Sequence, residues 1–419
     1  MSKRRVGYRW TICALLFAAT TINYMDRQVL GVLGPTLQHA LHWSESQYGD
    51  VVSWFSLPYA FAFLGVGWWL DRVGVRRGLA TAVVAWSVAA VAHAFARTAA
   101  GFSVARAALG LSESANFPGS IKVVAEWFPP RQRALATGIF NAGTNMGAIF
   151  APIVVPFIAL RWGWQWAFVV TGALGFVWAI AWLAIYRRPD ENPHVDAAEL
   201  AMIQVDRRPA DGAPVRWTTL LGRRQTWAFV VGKLMSDPIW WFYLYWFPKF
   251  LDTRYGVKLS QVMWPLIVVY AVADLGSVAG GWFSGTLIKR GWTANWARKT
   301  AMLTMAVLIL PTSLVPHAGS MWTAVLLVAL AAAAHQGWSA NVYTLASDMF
   351  PQSAVASVVG IGGFVSGIGA WFFQRATGRI LQANGGDYAS IFLVCGFAYV
   401  TAWVLIHFIT PTMEPVASG

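Results

Sequence analysis

Charge is scarce in this chain. Only 12% of its 419 residues are Asp, Glu, Lys or Arg, about half the fraction of an ordinary soluble domain. The 31 Lys and Arg outnumber the 18 Asp and Glu, yet a nucleic-acid binder with that balance would present a basic, polar face. Here the mean hydropathy is +0.51. Cysteine is nearly absent: Cys13 and Cys395 stand alone in apolar runs near opposite ends, which excludes a disulfide framework and a cysteine metal site. No H-E-x-x-H, G-x-S-x-G or G-x-x-x-x-G-K-[ST] spacing occurs, so the metal, acyl-transfer and ATP chemistries those motifs serve lack their residues. No cofactor and no metal are expected, and the chain does not read as an enzyme. Long polar stretches are missing too, except between Arg187 and Gln225.

What is present is one apolar run after another. Runs of about 20 residues match the thickness of a bilayer core, and twelve are expected, at 10–36, 47–70, 78–98, 101–126, 134–160, 164–186, 226–252, 260–287, 299–317, 321–348, 353–376 and 386–410. The fold class is therefore an all-α polytopic membrane protein whose surroundings are the lipid bilayer, with no nucleic acid. Lys3, Arg4 and Arg5 before an apolar run have the outline of a signal peptide, but the run continues past residue 30 and holds Asp26 and Arg27. It reads as the first span. With that end inside, cytoplasmic segments hold 20 of the cations and external segments six, namely Arg97, Arg161, Arg254, Lys258, Arg375 and Arg379. The positive-inside rule then puts both termini in the cytoplasm. Five cations remain within the spans: Arg27, Arg106, Lys122, Lys233 and Lys249.

The 187–225 interval, with Pro189, Pro193, Pro209, Pro214 and mixed charge, has the composition of a linker. It divides the chain into two six-helix bundles, residues 1–186 and 226–419. A shift of 222 residues lays Phe128-Pro129-Pro130-Arg131-Gln132-Arg133-Ala134 on Phe350-Pro351-Gln352-Ser353-Ala354-Val355-Ala356, Gly138 on Gly360 and Gly147 on Gly369. Both copies fall between the fourth and fifth helices of their half, which predicts a parallel repeat.

A charge at the bilayer centre costs about 2.5 to 3.5 kcal/mol on insertion scales, so each one marks a candidate site. Asp26 and Arg27 lie about 24 Å along the first helix. As sequence neighbours they do not face each other, so each needs a partner elsewhere. Arg106 and Glu113 are seven apart on the fourth helix and share a face. A guanidinium fork matches a carboxylate through two parallel hydrogen bonds, and burial favours the protonated form of a carboxyl. The set therefore suits a cavity that takes an anion and a proton; a salt-bridge network that only ties helices together is the alternative. Tyr59 is a sugar or proton-relay contact, or a core residue.

On the seventh helix Lys233 and Asp237 are four apart and predict an ion pair. Trp240 and Trp241, beside Pro238, are candidates to stack on a pyranose. Trp246 and Lys249, nearer the outer end, read as an interfacial aromatic and a snorkelling cation. His335 and Asn341 on the tenth helix offer partners for hydroxyls, although a lone His also packs. Asp274 has no evident partner. Lys122 and Glu126 close the fourth helix near the cytoplasmic surface.

Between the second and third helices stands Gly67-Trp68-Trp69-Leu70-Asp71-Arg72-Val73-Gly74-Val75-Arg76-Arg77. Its pattern, G-x-x-x-D-R-x-G-x-R-R, resembles the signature of the major facilitator superfamily. The resemblance implies the major facilitator fold and a cytoplasmic gate built from Gly67, Asp71, Arg72, Gly74, Arg76 and Arg77. In that gate the acid at Asp71 engages the N-terminal end of helix 11, an end that attracts anions. The matching loop of the second half, Gly285 to Gly291, lacks the acid. Further stretches are Asn23-Tyr24-Met25-Asp26-Arg27-Gln28, the run from Arg106 to Pro118, Asp237-Pro238-Ile239-Trp240-Trp241-Phe242-Tyr243 and Ser339-Ala340-Asn341-Val342-Tyr343. Together they resemble the anion:cation symporter branch, and within it the bacterial hexuronate transporters. That likeness implies import of a small anionic carbohydrate, glucuronate or galacturonate, with protons across a bacterial inner membrane by alternating access. An aldonate or another small organic anion is the alternative cargo. It further implies that Asp26 and Glu113 couple protons and that Arg27 binds the sugar acid. Asp237 joins the candidate proton-coupling set, and Tyr59, Arg106, Lys233, Trp240, Trp241, His335 and Asn341 join the candidate substrate set. Proton rather than sodium rests on the resemblance alone.

Overall fold

The computed structural model describes residues 7–204 and 217–414. Lys3, Arg4, Arg5 and the linker cations Arg207, Arg208 and Arg216 lie outside the described residues. Every element described is helical. A first set holds α1 (Arg9–Leu41), α2 (Glu45–Val73), α3 (Val75–Ala92), α4 (Ala99–Glu113), α5 (Asn116–Trp127), α6 (Pro130–Trp162) and α7 (Trp164–Ile185). The linker interval carries α8 (Ala197–Gln204) and α9 (Trp217–Leu221). A second set holds α10 (Arg224–Tyr255), α11 (Met263–Lys289), α12 (Ala294–Ile309), α13 (Met321–Met349), α14 (Gln352–Ala383) and α15 (Ala389–Ile409).

Among the described residues, nine helices are long and apolar enough to cross a membrane. Outside the linker interval, those that fall short are α1, the α4–α5 pair and α10, the stretches that bear Asp26, Arg27, Arg106, Glu113, Lys233 and Asp237. The sequence predicts one helix over 101–126, and here the structure differs: the helix breaks between Glu113 and Asn116. Pro118 explains it, because the ring lacks an N–H for the carbonyl four residues back, that of Ser114, and collides with it. Helix starts follow local chemistry elsewhere. Ser44 Oγ accepts from the Gln47 amide at 3.2 Å while the Ser44 amide donates to Gln47 Oε1 at 2.8 Å, a reciprocal capping box that opens α2.

The predicted repeat has a matching backbone. Phe128 ends α5 at φ −120°, ψ 135°, and Phe350 ends α13 at φ −123°, ψ 147°. The prolines that follow both precede a long helix, Pro129 at φ −62°, ψ 152° and Pro351 at φ −62°, ψ 151°.

Within the first set α1 packs on α6, α2 on α4 and α3 on α7; within the second, α11 packs on α13 and α10 on α14 and α15. The most extensive contacts between the sets are those of α2 with α14, α1 with α10, and α6 with α11. Among the described residues, the hydrogen bonds and ion pairs across this join crowd the end remote from the linker, called here the far end. Tyr48 donates to the Tyr245 carbonyl at 2.7 Å, Arg375 meets Asp50 at 2.8 Å, and Lys249 pairs with Glu45. The backbones of α2 and α14 touch there, since a Cβ on Gly49 would sit 2.9 Å from the Gln374 carbonyl and 3.0 Å from Gly378 Cα. Only glycine fits such an approach.

Two expectations are corrected at this join. Lys249 is not a snorkelling cation but 4% exposed, over the rings of Tyr48 and Trp246. Trp246 is not interfacial but fully buried, its Nε1 donating to Gln374 Oε1 at 2.6 Å. The far half of α10 is buried between α2 of the first set and α14 and α15 of its own, rather than turned to lipid.

The linker interval does more than connect. Glu199 of α8 accepts from the amides of Tyr8 and Arg9, at 2.9 and 3.1 Å, and pairs with the Arg9 guanidinium at 2.8 Å. A carboxylate at the N-terminus of α1 is favourably placed against the helix dipole.

Candidate functional site

Four helices, α1, α2, α4 and α10, converge midway along the molecule. α1 delivers Arg27, and the break after α4 leaves Glu113 at the same depth. Arg27 Nε and Nη2 both donate to Glu113 Oε2, at 3.1 and 2.9 Å, and Nη2 also reaches Asn23 Oδ1 at 3.3 Å. The pair is shut off from solvent, with side-chain exposures of 6% and 0%. Glu113 Oε1 is buried without a hydrogen-bond partner. Aromatic rings wrap the guanidinium: Tyr24 and Phe55 with centroids at 4.6 Å, Tyr59 at 5.3 Å and Trp241 at 5.5 Å. Each such contact contributes about 0.5 to 2 kcal/mol, and Trp241 comes from the second set. The Tyr24 hydroxyl lies within electrostatic reach of Arg27, Glu113, Lys233 and Tyr343, and that of Tyr59 within reach of Arg27, Glu113 and Tyr343. Three phenols, two guanidinium N–H groups and an indole thus gather in one place. That assembly can grip a carboxylate and hydrogen-bond a ring of hydroxyls.

Residues 16–374 match the family described as the Major Facilitator Superfamily. The chain belongs to that superfamily. It is 30% identical over 385 residues to the hexuronate transporter of Escherichia coli K12, covering 90% of this chain and 89% of that one. It is 27% identical over 401 residues to the D-galactonate transporter of Escherichia coli O6:H1, covering 92% of each. The xylose transporter from E. coli, solved in an inward open conformation, superposes with a TM-score of 0.74 at 14% identity over 96% of both chains. This facilitator therefore has the fold of multi-pass membrane transporters, not of enzymes.

Other charged groups of the facilitator sit above and below the centre. At 1.5 Å per residue, Arg106 and Tyr245 lie roughly 10 to 15 Å from the far ends of α4 and α10, Glu113 and Trp241 about 21 Å, and Lys233 about 33 Å. Arg106 does not share a partner with Glu113: its Nη2 donates to the Tyr245 hydroxyl at 2.7 Å, with the Phe55 ring 4.7 Å away. The predicted pair on α10 is present, Lys233 to Asp237 at 2.8 Å, and Lys233 also donates to the Tyr343 hydroxyl at 3.1 Å. Asp26 turns toward Thr171 of α7, with both of its oxygens buried.

The remaining candidates divide. Trp241 joins the cage, while Trp240 stacks flat on His335 at 5.0 Å and 5°, and His335 Nδ1 meets the Tyr399 hydroxyl at 2.6 Å. Asn341 donates to the carbonyls of Gly280 and Gly337 at 3.1 and 2.9 Å, clasping α13 to α11 away from Arg27. In the loop from α2 to α3, Gly74 has φ +80°, a conformation that favours glycine. Asp71 is held by Lys122 of α5 and not by α14. Arg72 lies over Trp68 at 4.5 Å, and Arg76 donates to the Leu183 carbonyl. Gly67 leaves open space at its Cα and Arg77 is exposed.

Sequence reasoning passed over Tyr24, Phe55, Tyr245 and Tyr343. Tyr24 carries a usable signal, three residues before Arg27 and so on its face of the helix. Tyr245 carries the same kind of signal, four residues after Trp241; Phe55 and Tyr343 carry none, because only packing brings their side chains to the site.

Proposed function

We propose that this facilitator imports a hexuronate, such as glucuronate or galacturonate, together with a proton, by alternating access between two six-helix bundles, residues 1–186 and 226–419. The three stretches that do not pass as spans, α1 and α10 on composition and the broken α4–α5 pair on length, carry the site and cross the membrane as well, shielded by their neighbours, which makes twelve. Cation placement along the chain puts the linker end in the cytoplasm of the bacterial inner membrane. The far end, where the sets are bonded together, is then external, and the described conformation faces inward.

The observation that carries the reading is the aromatic cage around Arg27, with its guanidinium bonded to a single oxygen of Glu113. A substrate carboxylate must compete with Glu113 for that fork. Protonation of Glu113 removes the rival charge and frees both N–H groups for two parallel bonds to the substrate. Oε1, without a partner, is where the proton goes. Binding of the acid and of the proton thus favour each other. Tyr24, Tyr59 and Trp241 meet the hydroxylated ring, Lys233 with Asp237 forms the next polar station toward the cytoplasm, and Asp26 is a second proton-binding carboxyl. Asp71 and its neighbouring arginines close the cytoplasmic side in the opposite conformation, for which Asp71 must leave Lys122.

Glucuronate or galacturonate added outside de-energised vesicles should make the external medium alkaline. Uptake of labelled acid with no alkalinisation would remove the proton from the proposal. An aldonate is the second reading, favoured by the likeness to a D-galactonate transporter over 92% of the chain. A panel of labelled uronates and aldonates separates the two.

A further inference from the structure

We propose that Tyr245 is a positioning residue: its hydroxyl occupies Arg106 while the external end is closed and releases it to the incoming carboxylate when that end opens. This rests on the functional reading above and adds a residue to it.

Arg106 is 1% exposed, its guanidinium withdrawn into the protein. A guanidinium withdrawn from water calls for a carboxylate, yet its hydrogen-bond partner here is a neutral phenol, and its Nε is buried with none. A carboxylate forms charge-assisted bonds about twice as strong as a neutral acceptor. Arg106 is therefore held by a group that a substrate acid displaces.

The hold depends on conformation. Tyr245 stands on α10, whereas Arg106 stands on α4, so the bond crosses between the sets. The same residue accepts from Tyr48 of α2 through its backbone carbonyl at 2.7 Å. Both bonds break when α10 parts from α2 and α4 at the external end. Arg106 is then uncovered nearer the opening than Arg27. Arg27 differs, because its partner Glu113 belongs to its own set and stays with it through the parting. One guanidinium is thus made available by opening and the other by protonation, in the order an entering anion meets them.

Tyr245→Phe tests this while keeping the ring against Trp241 and the carbonyl bond to Tyr48. The reporter is Ser53→Cys, a fully buried position on α2 one turn below Gly49, in a chain whose own Cys13 and Cys395 are buried. Without substrate, Tyr245→Phe should raise labelling by an impermeant maleimide about tenfold, the size expected for losing a hydrogen bond to a charged group. It should not do so in an Arg106→Gln background, where the hydroxyl has no charged group to hold. An equal rise in both backgrounds, or no rise in either, overturns the proposal. Should Arg106→Gln fail to fold, half-saturation measured from each side decides: Tyr245→Phe should lower it for external uronate and not for internal, and equal shifts or none overturn the proposal. Labelling needs no transported substrate, so a chain that carries no sugar acid would sink the functional reading and leave this result standing.

Discussion

At the scale of single residues, the centre of the facilitator turns on which oxygen of Glu113 is used. Both guanidinium bonds land on Oε2, and Oε1 has no partner. Glu113→Gln keeps an oxygen to accept from Arg27 and keeps the volume, but it cannot exchange a proton. We expect it to retain counterflow of labelled uronate between equal pools and to lose accumulation driven by a proton gradient. Concentrative uptake by this variant would remove Glu113 from proton coupling. The cage explains why the cation tolerates the site: its rings accept the guanidinium where water is excluded.

At the scale of an element, the break between α4 and α5 matters more than the length of either. Pro118 ends the hydrogen-bond ladder one turn after Glu113, which fixes where that carboxyl stands against Arg27. Pro118→Ala should let the helix run on. The fold should melt no lower, since alanine is the better helix former. Uronate uptake should nevertheless fall about tenfold or more, because a shift of an ångström in a binding group is costly. Unchanged uptake in a stable variant would mean that the break does not position Glu113.

At the scale of the whole molecule, the far end is a seam of close backbone and buried charge. Gly49 and Gly378 bring α2 and α14 into contact, and the Lys249–Glu45 pair crosses from α10 to α2. Lys249→Glu sets two acids together and should hold this end open, raising labelling at Ser53→Cys. Adding Glu45→Lys restores opposite charges and should bring labelling back toward the parent. Breaking a fully buried pair costs about 3 to 5 kcal/mol; with Glu45 partly exposed this pair contributes less, and about 1.4 kcal/mol already shifts such an equilibrium tenfold. Failure of the swap to rescue would show that the pair does not stabilise closure.

Much of this was legible in the chain. Apolar runs and their breaks located most of the helices, and the motif beginning at Phe128 returned at Phe350 with the same backbone. Lys233 and Asp237 were paired in advance, because residues four apart on a helix must meet. These features depend on spacing along one strand of chain, which a sequence states outright. Other partners were decided only by tertiary structure. Arg106 went to Tyr245 rather than toward Glu113, Lys249 and Trp246 turned to the seam rather than to lipid, Asn341 clasped two helices, and Asp71 was taken by Lys122. Each depends on the rotation and depth of one helix against another, set by the fit of many side chains at once. The scarcity of charge said that each buried cation needs a partner; the packing chose which.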